Sequence, residues 1–279
     1  MKISIRKKLA KIFRFILRNN FLKKYYFFFY TYLFNPYSLF KDITFEIEIN
    51  RINLKLDIND WIQQNLYFLG EYEKAELTAI QKFIKKDSLF IDIGANFGLY
   101  SLFLSPYISE GQIISFEPFN QNFESLVYNI KLNKLSNIKA NNYAIGDKNG
   151  VLTIYYNPKE NNLGMASLEE QPESIQQTTK IISLDEYVRT NMLNQIDVIK
   201  IDIEGFEYNA LLGMKNSLKK YHPTLLIEIN NNQKKKQEIL QFLKQLGYKR
   251  YFIDDHGNLS HIEKNHNRYN YIFTHVKNL

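Results

Sequence analysis

Lys200, Asp202 and Glu204 alternate with isoleucines in the run Asp197-Val-Ile-Lys-Ile-Asp-Ile-Glu-Gly205. Read as a strand, the run puts Ile199, Ile201 and Ile203 on one face and Val198, Lys200, Asp202 and Glu204 on the other. A strand inside a parallel sheet is ordinarily apolar on both faces, and desolvated charge is costly. Three ionisable groups in a row therefore need partners or a purpose, and at the carboxyl end of a sheet that purpose is a site. Two carboxylates beside an ammonium suit acid–base chemistry, with Asp202 or Glu204 as the base and the Lys200 ammonium tuning their ionisation. Two other readings stay open. Paired acids also suit a divalent cation, and Lys200 with Asp202 can be a satisfied pair capping the next helix.

A second set of residues suits a nucleoside. Phe90-Ile-Asp-Ile-Gly-Ala-Asn-Phe-Gly98 reads as a short apolar strand with Asp92 near its end and a glycine turn opening a helix. Gly94 and Gly98 allow a tight turn and a close backbone approach, and Asp92 can accept hydrogen bonds or face a positive charge. Asn96 stands where a dinucleotide fingerprint would place its middle glycine. The next apolar strand, Gln112 to Phe116, ends in Glu117, 23 residues beyond Gly94. That is close to the offset of about 20 at which an acid reaches ribose hydroxyls in nucleotide-binding βαβ units. A third strand, Ile138 to Asn142, runs into Tyr143-Ala-Ile-Gly-Asp147, a loop beside the first two strand ends where an adenine can be flanked. Three consecutive strand ends thus aim at one crevice.

The elements that would position these groups alternate. A helix over Glu71–Lys86 feeds the first strand. After the charged strand come a helix over Phe206–Lys220, a strand over Thr224–Asn230 and a helix over Gln233–Leu246. Strands at Tyr248–Ile253 and Tyr269–Phe273 complete the series. Glu228 and Asn230 also reach the carboxyl end. This order predicts one doubly wound α/β sheet. Upstream, Thr44 to Leu56 alternates polar and apolar as a small β-hairpin. Residues 157–177, with Gly164 and Ser167, form a polar insert that is either a lid over substrate or a surface hairpin. His256, His261 and His266 read as solvated loop residues rather than metal ligands, and no metal site is expected.

The chain of 279 residues has no cysteine, which removes thiolate metal sites, disulfides and cysteine nucleophiles. Its net charge of +7 is concentrated at one end. Ten of 36 basic residues precede Asp42, and no acid does. The remainder carries 26 basic against 29 acidic residues, so a basic groove for nucleic acid is not expected there. Residues 2–24 mix Ile3, Ile5, Leu9, Ile12, Phe13, Ile16 and Leu17 with basic residues at helical spacing. An uncharged aromatic run, Tyr25 to Phe34, follows and is too short to span a bilayer. The pattern fits an interfacial helix on an anionic membrane. It equally fits a helix that packs its aromatics inward and solvates its lysines.

Together, Asp92-Ile-Gly-Ala-Asn-Phe-Gly98, Phe116-Glu-Pro118, Ala144-Ile-Gly-Asp147, Ser183-Leu-Asp185 and Lys200-Ile-Asp-Ile-Glu-Gly-Phe-Glu207 resemble the FkbM-type methyltransferases. The resemblance spans about Leu89 to Phe273. It implies a Rossmann-like, mostly parallel seven-stranded sheet whose last strand is antiparallel. It also implies S-adenosylmethionine as cofactor and O-methylation, often of sugars or other metabolites. Carried over by position, Asp92, Gly94, Asn96 and Gly98 would line the methionine and ribose portion, Glu117 would hold the ribose hydroxyls, and Asn142 to Ile145 would border the adenine. The expected organisation is a basic aromatic helical extension over 1–41 and a methyltransferase domain over 42–279. Within that domain, 42–86 would be hairpin and helix and 87–279 the catalytic sheet. A cytoplasmic location is expected, peripheral on the membrane if the first segment is interfacial. The competing readings are a membrane-attached cofactor-binding module without turnover and a nicotinamide-dependent oxidoreductase.

Overall fold

The computed structural model describes residues 2–19, 21–156, 173–229, 236–261 and 269–278. Gly164, Ser167, Asn230, His266 and most of the polar insert lie outside the described residues. Two compact units divide the rest, one up to Glu73 and one from Lys74 onward.

The first unit opens with helix α1, Ile3–Leu17. An aromatic segment follows that includes the single turn α2, Tyr26–Phe29, and a π-turn, Tyr30–Phe34. The hairpin is β1, Thr44–Ile49, paired antiparallel with β2, Ile52–Asp57. Its alternation has the physical basis expected of one solvated face: Ile52, Leu54 and Leu56 are buried, with polar Asn53 and Lys55 exposed between them. Helix α3, Trp61–Leu69, has no counterpart among the sequence expectations, although its signals are present. Asp60 caps it by accepting from the Gln63 N–H, and Gly70 closes it in the left-handed region at φ 80°. Phe34 stacks on Phe68 at 5.2 Å and meets Phe40 at 4.9 Å, forming an aromatic core for a unit too small to rely on aliphatics alone.

The second unit begins with α4, Lys74–Gln81, shorter than the expected Glu71–Lys86. Then come β3 (Leu89–Ile93), α5 (Leu99–Leu104), β4 (Gln112–Phe116), α6 (Asn120–Leu132) and β5 (Ile138–Asn141). Next are β6 (Tyr143–Ile145), β7 (Gly150–Tyr156), β8 (Ile175–Ile182) and α7 (Leu184–Thr190). The chain continues through β9 (Val198–Ile201), α8 (Glu207–Leu212), α9 (Lys215–Tyr221) and β10 (Thr224–Glu228). It ends with α10 (Lys236–Gln245), β11 (Tyr248–Ile253), β12 (Leu259–Ser260) and β13 (Asn270–His275).

The main sheet has the order β12-β11-β13-β10-β9-β3-β4-β5. It is parallel from β10 through β5, and β13 inserts antiparallel between β10 and β11, as the resemblance implied. The count is eight rather than seven because the two-residue β12 extends the edge. A separate sheet, β6-β8-β7, absorbs the segment after Asn142 that the sequence presented as a loop.

Two boundaries differ from expectation for identifiable reasons. The expected helix over Phe206–Lys220 is two helices that part at Gly213 and Met214. A Cβ at Gly213 would lie 1.8 Å from the Gly146 carbonyl oxygen, so the chain passes closely there. The charged strand ends at Ile201. Glu204 and Gly205 both have positive φ, 44° and 86°, so the chain turns after Asp202. Glu204 therefore does not share a strand face with Lys200.

Asp185, in the first turn of α7, caps α9 from outside. Its Oδ2 accepts from the Asn216 N–H at 2.9 Å, and its Oδ1 accepts from the Ser217 N–H at 2.7 Å and the Ser217 hydroxyl at 2.6 Å. Asp185→Ala is expected to lower stability by about 1–2 kcal/mol in urea denaturation. An unchanged midpoint would remove this cap from the account.

Candidate active site

Asp92 and Lys200 stand in register on adjacent buried strands, and Ser115 is in register with Asp92 on its other side. In a sheet, residues in register point to one face, so three polar groups form a row across the otherwise apolar β9-β3-β4. Asp92 is fully buried. Its Oδ2 accepts from the Ser101 hydroxyl of α5 at 2.6 Å, and that hydroxyl also meets Ser115 Oγ at 2.7 Å. Its Oδ1 makes no hydrogen bond and faces the Lys200 Nζ at 3.7 Å. Burial pushes the Asp92 carboxyl above its ordinary range, while the Lys200 charge and the Ser101 hydroxyl pull against that rise.

The Lys200 ammonium holds the site together. It is 5% exposed, donates to the Gly94 carbonyl at 2.8 Å and lies 3.3 Å from Asp202 Oδ2. The Tyr100 ring sits beneath it at 5.2 Å. Asp202 is the open member of the cluster, with a side chain 30% exposed. Burial pushes its carboxyl up, but Lys200 and a hydrogen bond with the Glu228 side chain outweigh this and hold it below the usual range. Glu204 sits apart on the turn. It is exposed there, and the nearby Asp202 and Glu207 carboxylates raise its carboxyl above the usual range.

The glycine turn is closed upon itself. The N–H groups of Gly94 and Ala95 both donate to the Phe116 carbonyl, at 2.9 and 3.0 Å. The Asn96 N–H donates to Glu117 Oε2 at 2.8 Å, the Phe97 N–H to Asn96 Oδ1 at 2.7 Å and the Gly98 N–H to the Ala95 carbonyl at 2.9 Å. Gly94 is at φ 77°, and a Cβ there would lie 1.8 Å from the Asp202 carbonyl oxygen, so its close approach is to the end of β9. Gly98, at φ 103°, has its Cβ position occupied by Leu126 and Leu102 and serves the packing of α5 on α6.

Glu117 is buried at the end of β4. Its Oε1 accepts from the Phe119 N–H at 2.9 Å, so each oxygen holds one backbone donor and retains accepting capacity. Burial pushes this carboxyl up to about 7 against those two hydrogen bonds. The Asn142 amide donates to the Glu117 carbonyl at 3.0 Å, which ties the end of β5 to it. Ala144 is buried in β6 of the smaller sheet.

The fold thus brings Asp92, Gly94, Lys200 and Asp202 into one contact set and Asn96, Glu117 and Asn142 into a second. Gly98, Ala144 and Glu204 stand outside these direct contacts. Ser101, Ser115 and Tyr100 had not been singled out from sequence. Ser115 was detectable as a polar residue in an apolar strand, whereas Ser101 and Tyr100 needed the helix placement. His256 and His261 are exposed, and among the described residues no group of three or more acids or histidines is arranged to hold a metal ion.

The family model described as the methyltransferase FkbM domain matches residues 92–250. Methyltransferase 1 of Beauveria bassiana is 23% identical over 147 residues, covering 46% of this chain and 59% of that protein. The hexuronic acid methyltransferase AglP of Haloferax volcanii is 26% identical over 147 residues, covering 52% of this chain and 57% of its own length. The chain therefore spans less than two thirds of these curated relatives. A crystal structure of methyltransferase FkbM from Methylobacillus flagellatus KT aligns with TM-score 0.49 and 14% identity, over 68% of this chain and 44% of that one.

A carboxylate accepts from hydroxyls better than a neutral acid does, so the titration of Glu117 near 7 should show in nucleoside binding. Affinity for S-adenosylhomocysteine, measured by calorimetry, is expected to rise several-fold from about pH 6 to about pH 8, and Glu117→Gln should flatten the profile. The same titration acts on folding with the opposite sign. The folded chain loses stability as pH rises from the ordinary value of 4.5 through about 7. A profile unchanged by Glu117→Gln would remove Glu117 from ligand contact.

Proposed function

The chain belongs to the family of the FkbM methyltransferase domain, and on that premise we propose that it transfers the methyl group of S-adenosylmethionine to a hydroxyl oxygen of a sugar or glycan. The observation that carries the cofactor reading is the closed turn. A nicotinamide dinucleotide needs backbone N–H groups aimed at its pyrophosphate. Here all five N–H groups from Gly94 to Gly98 have acceptors inside the protein. What the crevice offers instead is the Glu117 carboxylate, with accepting capacity for ribose hydroxyls, and the Asn142 edge for a base. This set suits a nucleoside without phosphates.

When bound, S-adenosylmethionine supplies a methyl group activated by a sulfonium. Methyl transfer is an in-line displacement, so the protein must align the acceptor and dispose of its proton. A sugar hydroxyl is too weak an acid to lose that proton unaided. Asp202 is suited to accept it, being partly exposed at the end of β9 and held ionised by Lys200. Glu228 orients Asp202 through their shared hydrogen bond, and Asp92 fixes Lys200 from below. Glu204, one turn further on, is the second candidate for contact with the acceptor. The AglP relative, whose name gives a hexuronic acid as its substrate, supports a sugar acceptor. We take the cytoplasm, where the donor is made, as the place of action.

Transfer of labelled methyl to extracted glycans tests this reading. Asp202→Asn is expected to lower turnover by about 10²-fold or more while S-adenosylmethionine affinity stays within a few fold. An unchanged rate would exclude Asp202 as the base, and no S-adenosylmethionine binding at millimolar concentration would overturn the function itself.

A further inference from the structure

Helix α1 is built in the reverse of a water-facing helix. Its inward side buries Ala10 and Leu17 and also draws in two arginines. Arg6 donates to the Lys41 carbonyl at 3.0 Å, and the Arg14 guanidinium lies over the Tyr67 ring at 5.0 Å. The outward side carries Ile5, Lys8, Ile12 and Phe15, spaced i, i+3, i+7 and i+10 along one face. All four are exposed, Phe15 at 85%. Phe13 does pack inward on Phe34 at 5.0 Å, yet a helix meant only to pack inward would not leave Ile5, Ile12 and Phe15 on the opposite face.

The aromatic segment that follows divides in the same way. Tyr26 and Phe34 are buried, the former donating its hydroxyl to Gln64 Oε1 at 2.9 Å. Phe21 at 68%, Phe27 at 66% and Tyr32 at 67% exposure project outward. Lys24 lies over the Phe21 ring at 4.5 Å, so charge and apolar surface are interleaved. Solvent-facing aromatics and aliphatics in this density mark an interaction surface.

We propose that the outward faces of α1 and the Phe21–Tyr32 segment dock on an anionic phospholipid bilayer. Charge complementarity selects this occupant. The first 41 residues hold no acid, and of their ten basic side chains Lys2, Lys8, Lys11, Arg18, Lys24 and Lys41 are exposed, the composition that an anionic leaflet attracts. Rings and aliphatic side chains beside those charges enter the headgroup boundary. Nucleic acid would use the lysines and stack on the rings, but Ile5 and Ile12 would have no role. Among the described residues no helix is long and apolar enough to cross a membrane, so the contact lies in the interface plane.

Cosedimentation of the full chain with vesicles provides the test and reads no catalysis, so it stands apart from the methyl-transfer reading. Binding to phosphatidylcholine vesicles containing about one third phosphatidylglycerol is expected to exceed binding to pure phosphatidylcholine by about tenfold, and to weaken in high salt. Phe15→Glu combined with Phe27→Glu and Phe28→Glu replaces only exposed side chains. This variant should keep the wild-type circular dichroism and lose vesicle binding by about tenfold or more. Absent binding by the wild type, or equal binding by the folded variant, would overturn the proposal. A dimer in ultracentrifugation that the variant abolishes, or RNA binding without vesicle binding, would assign the face to another occupant and overturn it as well.

Discussion

One buried ammonium sets the terms for the second unit. Lys200 is 5% exposed between the carboxylates of Asp92 and Asp202, with the Gly94 carbonyl as a third partner. Taking a lysine out of water costs several kcal/mol, and only well-placed opposite charge offsets it. Each partner in turn depends on Lys200. Asp92 has no exposure and one oxygen without a hydrogen bond, so the ammonium is the counter-charge for that oxygen. Asp202 is held ionised at the surface of the same cluster. The Gly94 carbonyl is fixed at the point where β3 turns toward α5. A single charge thus joins two strands, a turn and the proposed base.

The turn shows how the same backbone can serve a ligand without donating to it. Its five N–H groups are all engaged internally, two on Phe116 and one on Glu117. The Asn96 N–H, which a dinucleotide fold would aim at phosphate, instead steadies the acid that suits ribose. Asn96 takes φ 51° there, a conformation that asparagine tolerates better than most residues because its side chain bonds locally. The residue that breaks the dinucleotide pattern therefore has a positive role in holding the Glu117 carboxyl.

Much of this was legible in the sequence. The apolar strands, the offset from Gly94 to Glu117 and the oddity of a charged strand follow from periodicity and from the cost of burying charge. Where the sequence misled, two rules competed. Alternation extended the charged strand to Gly205, but the need for Asp202 to meet Gly94 and the positive φ of Glu204 ended it at Ile201. Helical spacing ran through Gly213, but the Gly146 carbonyl lies where a Cβ would stand. The row Ser115, Asp92, Lys200 could be seen only as three separate polar intrusions, because register between strands is not written in any one of them. In the first unit, composition could not decide which aromatics face inward, since that depends on the rotation of α1 and its neighbours.

Asp92 and Lys200 should behave energetically as one unit. A double-mutant cycle on unfolding free energy tests it most directly, with Lys200→Met, Asp92→Asn and their combination. Lys200→Met alone strands a buried carboxylate and should cost about 3–5 kcal/mol, most of it recovered when Asp92→Asn is added. Effects of the two substitutions that simply add would contradict the account.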